Sequence, residues 1–444
     1  MKKDICLIFS RPFTKYWSNS MKNNVSKYCD GIIISDFRGF GEIDIMNSIY
    51  LNFGGGANPE YYNIDEIIAR CRYLRNIDKK IAFKLVNAAI ISIESIFEDK
   101  KPKFFIGIPI DNYILNIINL VCMRRNVKRI FPVGSFLPNL TRWTYQGEWI
   151  QVRTPSQEEI KYYYDKINEK KFAPLTLKKH RGILKLVGLY LRERVKWLLF
   201  ETLKFVMNDK YSFHYNTVYP SKGCITVRSI KNILSYKYFE SKQLIDSKLL
   251  SDDFKIYLPL QFSPETTIDY YIDDYRFSDY YRLISDFIIG APENSIIFIK
   301  EHPDLYGYRD LELYELTRSF ANVFLCPVDM KTDEFITKCD LVAVTGAGST
   351  GAEAAAKGKN VLSLGGAFYA TDKVQQIKSF DDVKIWSKKF DFNNNMSLKD
   401  RNDVIKKILS NSLLGSCNFV RSTRKNREEI NFNQNNIIHK LIPQ

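Results

Sequence analysis

The stretch whose residue types and spacing point most directly to chemistry is 346–351, GAGSTG, which runs into the alanine-rich segment 352–357. The pattern predicts a turn that opens a helix, and the first turn of a helix presents unpaired N–H groups and the positive end of the helix dipole. Phosphate is a common occupant of such a place. Glycine permits close backbone approach and hydroxyls add donors, and the residues concerned are Gly348, Ser349, Thr350 and Gly351. An ordinary strand-to-helix turn with a Ser or Thr N-cap uses the same residue types, so the turn alone leaves both interpretations open.

Three further polar loops directly follow predicted strands in the same half of the chain. They carry Gln261 and Glu265, then Lys300 and His302, then Phe368 and Tyr369. The carboxyl ends of parallel strands meet at one edge of a sheet, so we expect these loops to converge on the glycine-rich turn. Together they offer an imidazole, an ammonium group, helix N–H groups, hydroxyls and an aromatic wall. That set suits a nucleotide phosphate with its sugar and base, although each residue by itself is ordinarily a loop residue.

The order of the predicted elements supports the parallel sheet that this convergence requires. Apolar runs alternate with helical segments over residues 1–150 and again over 251–410. Such alternation predicts an α/β protein with two Rossmann-like domains that face each other across a cleft. Between them, residues 151–250 read as a basic helical linker or insertion. The tail, 411–444, is expected to pack back on the first domain.

Composition restricts the class of partner. The chain has 444 residues and a net charge of +15, which indicates an anionic partner: nucleic acid, an anionic membrane surface or a phosphorylated substrate. We find no nucleic-acid recognition motif and no interleaving of basic and aromatic residues, which argues against nucleic acid. The eight cysteines are scattered without a CxxC pair. This pattern favours free thiols in a reducing compartment over a zinc site.

The sequence predicts a cytoplasmic protein, at most peripheral on the inner face of the cytoplasmic membrane. No apolar run reaches the roughly 18 residues of a spanning helix, and the first residues, MKKDICLIFSRP, are too short and too polar for a signal peptide. Residues 178–210 have apolar positions close to helical spacing and carry nine Lys or Arg against three Asp or Glu. Such a segment either lies on an anionic bilayer or packs on the domains with a solvated basic face.

A resemblance to a known family rests on motifs of the second half. LPLQFSPETT at 258–267, KEHP at 300–303, a helix that bears Tyr314, and the run from Val344 to Tyr369 follow one another in this order. The combination resembles the capsule polysaccharide biosynthesis family, which are GT-B glycosyltransferases that include bacterial Kdo transferases. Bacterial sialyltransferases share the His-Pro and Ser/Thr motifs. The resemblance covers about residues 253–383, under a third of the chain.

The resemblance implies roles for the residues of these motifs. His302, with Ser349 and Thr350 beside it, would hold the phosphate of the donor nucleotide, often CMP. Glu353 resembles the acid that many GT-B proteins place on the nucleotide ribose, although a first-turn acid is also favoured by the helix dipole. Gln261 departs from the family pattern, because many relatives carry histidine there. The implied co-substrate is a nucleotide sugar, with a CMP-sugar favoured over a UDP-sugar, and no cofactor is expected.

The implied reaction is glycosyl transfer from that donor to a lipid-linked or growing surface polysaccharide. His302 and the helix N-terminus would stabilise the phosphate leaving group without a metal, and no convincing metal motif is present. A base or nucleophile would be a carboxylate, usually from the first domain of such a fold. The candidates are Asp36, Glu42, Asp111 and, in the second domain, Glu265. Each of these carboxylates also has an ordinary structural explanation.

Three other functions stay open from the sequence. A UDP-sugar-dependent transferase or a sugar-nucleotide epimerase would have the same two-domain shape. An epimerase needs acid and histidine groups lining a closed cleft, and the chain has only four histidines. A catalytically silent scaffold of a polysaccharide assembly complex would retain only the nucleotide site.

Overall fold

The computed structural model describes residues 3–56, 59–169, 183–216, 230–417, 419 and 427–442. The chain divides into two units. The first comprises Met1–Thr154, Glu201–Thr217 and Leu409–Gln444, and the second comprises Pro155–Phe200 and Val218–Ile408. Residues 151–250, expected as one linker, are therefore shared between the two units.

Short strands and longer helices alternate along the chain. The strands are β1 (Ile5–Phe9), β2 (Asp30–Ser35), β3 (Ile43–Asp44), β4 (Phe104–Ile106), β5 (Lys128–Ile130), β6 (Val133–Gly134), β7 (Leu140–Arg142), β8 (Phe254–Pro259), β9 (Ser295–Lys300), β10 (Val323–Cys326), β11 (Leu341–Thr345), β12 (Asn360–Leu364), β13 (Gln375–Ile377) and β14 (Ser412–Leu414). The α-helices are α1 (Lys15–Val25), α2 (Ile45–Leu51), α3 (Ile64–Arg70), α4 (Lys79–Lys100), α5 (Tyr113–Arg124), α6 (Gln157–Asn168), α7 (Ile183–Val206), α8 (Phe213–Asn216), α9 (Lys242–Leu249), α10 (Thr266–Asp269), α11 (Tyr280–Ile289), α12 (Leu311–Arg318), α13 (Thr332–Lys338), α14 (Ser349–Ala356), α15 (Trp386–Lys389), α16 (Leu398–Ser410) and α17 (Arg427–Leu441).

The first unit is built on a five-stranded parallel sheet in the order β3-β2-β1-β4-β5. The chain forms the central strand β1 first, then β2 and β3 on one side of it, and then β4 and β5 on the other side. This is the order of a doubly wound Rossmann-like sheet, whose direction of growth reverses between β1 and β4. A second sheet, antiparallel and three-stranded, pairs β14 with β7 and β7 with β6.

The second unit is built on a six-stranded parallel sheet in the order β10-β9-β8-β11-β12-β13. The direction of growth reverses here between β8 and β11. The apolar run of β9 is buried along its whole length, as expected for a parallel strand covered by helices on both faces. Ile297 and Ile299 join one core with Phe287 and Tyr314, while Phe298 packs against Phe335 on the other face. The α/β class with two Rossmann-like domains is thus confirmed.

The C-terminal segment packs within the first unit. Strand β14 pairs with β7, and the side chain of Gln434 in α17 donates to the carbonyl of Trp17 in α1 at 2.8 Å. The hydroxyl of Ser20 in α1 also reaches Gln434, at 2.8 Å. These contacts join residues more than four hundred positions apart, so the chain returns to where it began.

The basic segment 178–210 forms the long helix α7 from residue 183 onward, and residues 178–182 lie outside the described ranges. None of the helices in the described part of the chain combines the length and the apolar character that a membrane crossing needs. Six of the cysteines that the structure describes are buried. The predicted strands are present, but five strands of two or three residues (β3, β6, β7, β13 and β14) escaped prediction, since such short runs carry no periodicity.

Candidate functional site

The glycine-rich turn lies at the point where the six-stranded sheet reverses its direction of growth. Strands β8 and β11 are neighbours there, and in doubly wound sheets the connections that follow two such strands lead to opposite faces. This divergence opens the crevice in which ligands of such sheets bind. The loop after β8 begins at Leu260, and the turn after β11 begins at Gly346.

Contacts bring three of the predicted loops together. A Cβ atom on Gly348 would lie 2.9 Å from Oε1 of Gln261, so the loop after β8 touches the start of α14. The rings of Phe262 and His302 meet edge to face with centroids 5.4 Å apart. The loop after β8 therefore contacts both the His-Pro loop after β9 and the glycine-rich turn after β11.

The hydrogen bond at Nδ1 fixes the proton position of His302. The backbone N–H of Asp304 donates to Nδ1 of His302 at 3.2 Å. Nδ1 is then an acceptor, so the neutral ring carries its proton on Nε2. Burial lowers the pKa of His302; the negative charges of Glu301 and Asp304 oppose this effect, while Arg309 and Lys300 add to it. The ring is thus held neutral with Nε2–H as a hydrogen-bond donor.

A buried ion pair lies directly behind His302. The guanidinium of Arg309 donates to both carboxylate oxygens of Glu301, with Nη2 2.9 Å from Oε1. Tyr314 Oη also donates to Glu301, at 2.6 Å. The pKa of Arg309 is raised, because the attraction of Glu301 outweighs the opposing effect of burial.

The same pair braces two of the loops. Glu301 Oε1 accepts the backbone N–H of His302 at 2.6 Å, and Arg309 Nη2 donates to the carbonyl of Gln261 at 2.7 Å. A planar guanidinium with several donors suits such a role, because it makes several directed bonds at once. The His-Pro loop and the loop after β8 are therefore held by one network.

Helix α14 begins without a side-chain cap. Gly348 is its N-cap, and no side chain accepts from the first turn. Ser349 is exposed and Thr350 is half-buried. The N–H of Gly351 donates to the carbonyl of Gly348 at 3.1 Å. The N–H groups of Ser349 and Thr350 at the helix start are the first-turn donors that an anion could use.

The sequence predicts that residues 368 and 369 together form an aromatic wall of the site, but Tyr369 does not line it. Its ring is fully buried, and its Oη lies against Gly351, in the space that a Cβ there would occupy. It also reaches the carbonyl of Gly348 at 3.4 Å. Tyr369 therefore packs against the buried side of the turn, while Phe368 is half-buried and partly exposed to solvent.

Two other predicted residues have partners inside the second unit, and a third, Lys300, is buried there. Glu353 is buried and pairs with Lys357 at 2.7 Å, and burial raises the pKa of its carboxyl. Glu265 precedes α10 and accepts from the hydroxyl of Thr267 at 2.8 Å. Lys300 is 5% exposed at the end of β9, and burial lowers the pKa of its ammonium group. Glu353 lies beyond the first turn of α14, so its structural role is the ion pair with Lys357 and not the first-turn position expected from the sequence.

The first unit has its own polar cluster at the corresponding place, past β1, β2 and β4. Arg11 donates to Asp36 at 2.7 and 2.9 Å and to Asp111 at 2.6 and 2.9 Å. Asn112 donates to Asp36 at 2.6 Å and also caps α5. The pKa of Arg11 is raised, because the two carboxylates outweigh the effect of burial. Two carboxylates thus share one buried guanidinium.

The three first-unit carboxylates differ in what they can do. The side chain of Asp36 is 4% exposed and that of Asp111 is 29% exposed. Glu42 lies apart from the cluster, because it accepts from the backbone of Ile33 at 2.7 Å and pairs with Lys22 at 2.8 Å. Asp111 is therefore the one of the three that combines the cluster with access to solvent.

A family comparison covers most of the second unit. Residues 191–403 match the family model described as "Capsule polysaccharide biosynthesis protein". This stretch, called the capsule-synthesis segment below, is similar to the capsule polysaccharide biosynthesis family over a little under half of the chain. No curated protein matches the chain.

Several solved structures are similar to this chain at low sequence identity. KpsC, a beta Kdo 2,4 transferase of Thermosulfurimonas dismutans, is 12% identical over 69% of this chain and 79% of its own, with a TM-score of 0.32. The UDP-GlcNAc 2-epimerase of Methanocaldococcus jannaschii is 13% identical over 92% of this chain and 98% of its own, with a TM-score of 0.26. Anabaena Alr3699/HepE, solved in complex with UDP-glucose, is 9% identical over 99% of this chain and 95% of its own, with a TM-score of 0.26.

Sequence reasoning missed three of the residues that organise these two clusters. Glu301 and Arg309 lie within the capsule-synthesis segment, and Arg11 lies outside it. Arg11 follows the apolar strand β1 and precedes a proline, which was a usable signal for a polar group at the sheet edge. The Glu301–Arg309 pair gave no such signal, since residues 301–310 form a loop, where the chain has no fixed periodicity.

Proposed function

We propose that this chain is a glycosyltransferase of capsule or related surface polysaccharide synthesis, and that its second unit binds the nucleotide-sugar donor. The observation that carries the proposal is the contact of the loop after β8 with both His302 and Gly348. It supports the proposal because the imidazole of His302 and the N-terminus of α14 then lie against the same loop. An imidazole donor and a helix N-terminus suit a phosphate, and ligands of such sheets bind at this edge.

The chemistry of the proposed step is departure of a nucleotide phosphate from the sugar. Negative charge grows on the phosphate oxygens as the glycosidic bond breaks, and fixed donors stabilise that charge best when they need no reorganisation. Nε2–H of His302 and the first-turn N–H groups of α14 supply such donors. We propose that the step needs no metal ion, because these groups and the Lys300 ammonium already complement an anion.

The proposed donor is a CMP-activated nonulosonate, with Kdo first. This choice rests on the family resemblance of the His-Pro and Ser/Thr motifs, and a UDP-sugar is the competing donor. The neutral state of His302 does not distinguish the two donors. A CMP-sugar has one phosphate and a UDP-sugar has two, and a neutral N–H can donate a hydrogen bond to either group.

The proposed acceptor is a hydroxyl of a lipid-linked or growing saccharide, and the first unit supplies the carboxylate that activates it. Asp111 is our candidate for this general base, because it is the partly exposed member of the Arg11 cluster. Asp36 would position Arg11 rather than touch the acceptor. A lipid-linked acceptor also leads us to propose a peripheral location on the inner face of the cytoplasmic membrane.

A nucleotide screen tests the proposal. Thermal unfolding is measured with CMP, UDP and GDP for the wild type, for His302→Ala and for the matched control His439→Ala in α17. A nucleotide at about one hundred times its Kd stabilises the folded chain by about 2.7 kcal/mol. We expect CMP to raise the Tm of the wild type and of His439→Ala, and to raise that of His302→Ala much less. If none of the three nucleotides raises the Tm, the donor-site proposal fails.

Turnover assays separate the transferase from its rivals. A transferase releases CMP or UDP only with donor and acceptor together, apart from slow hydrolysis. A sugar-nucleotide epimerase converts the donor with no acceptor present. Nucleotide binding with neither activity would instead identify a silent scaffold.

A further inference from the structure

Helix α7 exposes an apolar stripe along its length. Seven large apolar side chains are more than half exposed among the described side chains of α7. Leu198 (57%) and Phe205 (87%) lie at the edge of the stripe, and the other five form it: Leu184 (89%), Leu191 (57%), Val195 (56%), Leu199 (58%) and Val206 (69%). Their spacings of seven, four, four and seven residues hold them within one narrow arc, since 3.6 residues make a turn. A contiguous exposed apolar surface of this kind marks an interaction site.

The inner side of the same helix is seated on the second unit. Leu186 is fully buried in a small core with Tyr306 and Val328. Gly307 makes room for it, because a Cβ there would lie 2.6 Å from Cδ2 of Leu186. The orientation of the helix about its axis is therefore fixed at this end, with the stripe turned outward.

Cations border the stripe on one side. Lys185, Arg192 and Lys196 each follow a stripe residue by one position, which places them about 100° further round the helix. Lys185 and Lys196 are exposed. Arg192 is exposed as well, and it pairs with Glu193 at 2.7 Å. The chain as a whole carries a net charge of +15.

We propose that this face of α7 is the docking surface for an anionic lipid bilayer. The apolar stripe enters the boundary between headgroups and acyl chains, and the row of cations meets the headgroup phosphates. Charge decides between the occupants, because a second copy of the chain would bring the same row of cations against itself. This inference names the surface that would hold the chain at the membrane. It rests on the proposed function in one respect, namely that a lipid-linked acceptor explains why the chain would bind a membrane.

Vesicle co-sedimentation of the full chain tests the proposal. The probes are vesicles of phosphatidylglycerol mixed with phosphatidylcholine, and vesicles of phosphatidylcholine alone. The variant is Leu191→Gln/Val195→Gln/Leu199→Gln. The matched control is Leu250→Gln/Ile289→Gln, which removes exposed apolar side chains of the second unit outside α7.

We expect the wild type and the control to bind the anionic vesicles and to bind phosphatidylcholine much less. The variant should bind the anionic vesicles at least about tenfold more weakly, since one inserted Leu is worth about that factor. Lys185→Gln/Lys196→Gln should weaken binding to the anionic vesicles and reduce its sensitivity to salt.

Two results overturn the proposal. One is equal binding of the wild type and the α7 variant to anionic vesicles. The other is a wild-type dimer in solution, by light scattering, that becomes monomeric in the variant while neither binds vesicles; the stripe is then a self-association surface. Nucleotide-induced Tm shifts are measured on the same samples, which separates the two proposals. A chain that fails to bind vesicles but keeps its Tm shift contradicts only the membrane surface. A chain that binds vesicles but shows no Tm shift contradicts only the donor site.

Discussion

The carboxylate of Glu301 and the guanidinium of Arg309 form a fully buried ion pair directly behind His302. The pair also reaches the backbone of the loop after β8 through the carbonyl of Gln261. Two loops of the proposed donor site therefore depend on one pair that no ligand needs to touch. Removing either partner leaves a buried charge uncompensated, which is costlier than removing both.

The first prediction concerns that pair. Glu301→Gln and Arg309→Met should each lower the free energy of unfolding by about 3–5 kcal/mol, and the double variant should lose less than the sum. Urea unfolding of the four proteins measures the coupling. Lys242→Gln, which removes the long surface contact to Asp246, is the control and should change little. Additive losses would show that the two side chains do not act as a pair.

The second prediction is a pH dependence from His302. Burial lowers its pKa in the folded chain, while the unfolded chain takes up the proton near pH 6.5. Below about pH 6.5 the unfolded state binds more protons, so stability falls as the pH drops toward the folded pKa and is unaffected above pH 6.5. Urea unfolding at a series of pH values should show a smaller loss on acidification in His302→Gln than in the wild type. If the free energy of unfolding depends on pH in the same way in both proteins, the pKa of His302 is not lowered in the folded chain.

The third prediction concerns the fit between Gly351 and Tyr369. A Cβ on residue 351 would run into Tyr369 Oη and would lie 2.7 Å from Cγ2 of Val344. Gly351→Ala should therefore lower stability by about 1–3 kcal/mol. Tyr369→Phe should restore part of that loss in the double variant, because it removes the colliding hydroxyl. Melting curves measure both effects.

Gly134→Ala is the matched control for this pair of substitutions, because nothing lies within 4 Å of the added methyl group. Its Tm should stay close to that of the wild type. Gly351→Ala with an unchanged Tm would mean that Tyr369 is not held against the turn.

The fourth prediction separates the two aspartates of the first unit. Asp36→Asn should lower stability by about 3 kcal/mol, since the buried Arg11 loses one of its two charged partners. Asp111→Asn should cost less stability, because Asp111 is partly exposed and more solvated. If Asp111 is the base, its variant should lose at least about a hundredfold in kcat with little change in KM. A normal kcat in folded Asp111→Asn would exclude it from that role.

The sequence by itself determined the elements and the motifs. Apolar runs such as SIIFIK and the turn GAGSTG are local features, and both the strand and the helix start follow from neighbouring residues. The alternation of strands and helices then predicted parallel sheets, because parallel strands require crossover connections. The order of the motifs was also sufficient for the family resemblance.

Only the tertiary structure decided which side chains meet. Arg11 bridges Asp36 and Asp111, which lie 25 and 100 residues away in the chain, and local spacing does not tell which strands become neighbours. The same limit applies to Tyr369, whose position next to Phe368 gave no sign that one ring would be buried under α14 and the other half-exposed. Side-chain direction past a strand end is set by the packing of the following loop. The chemistry of both clusters therefore depended on the pairing of strands that are distant in sequence.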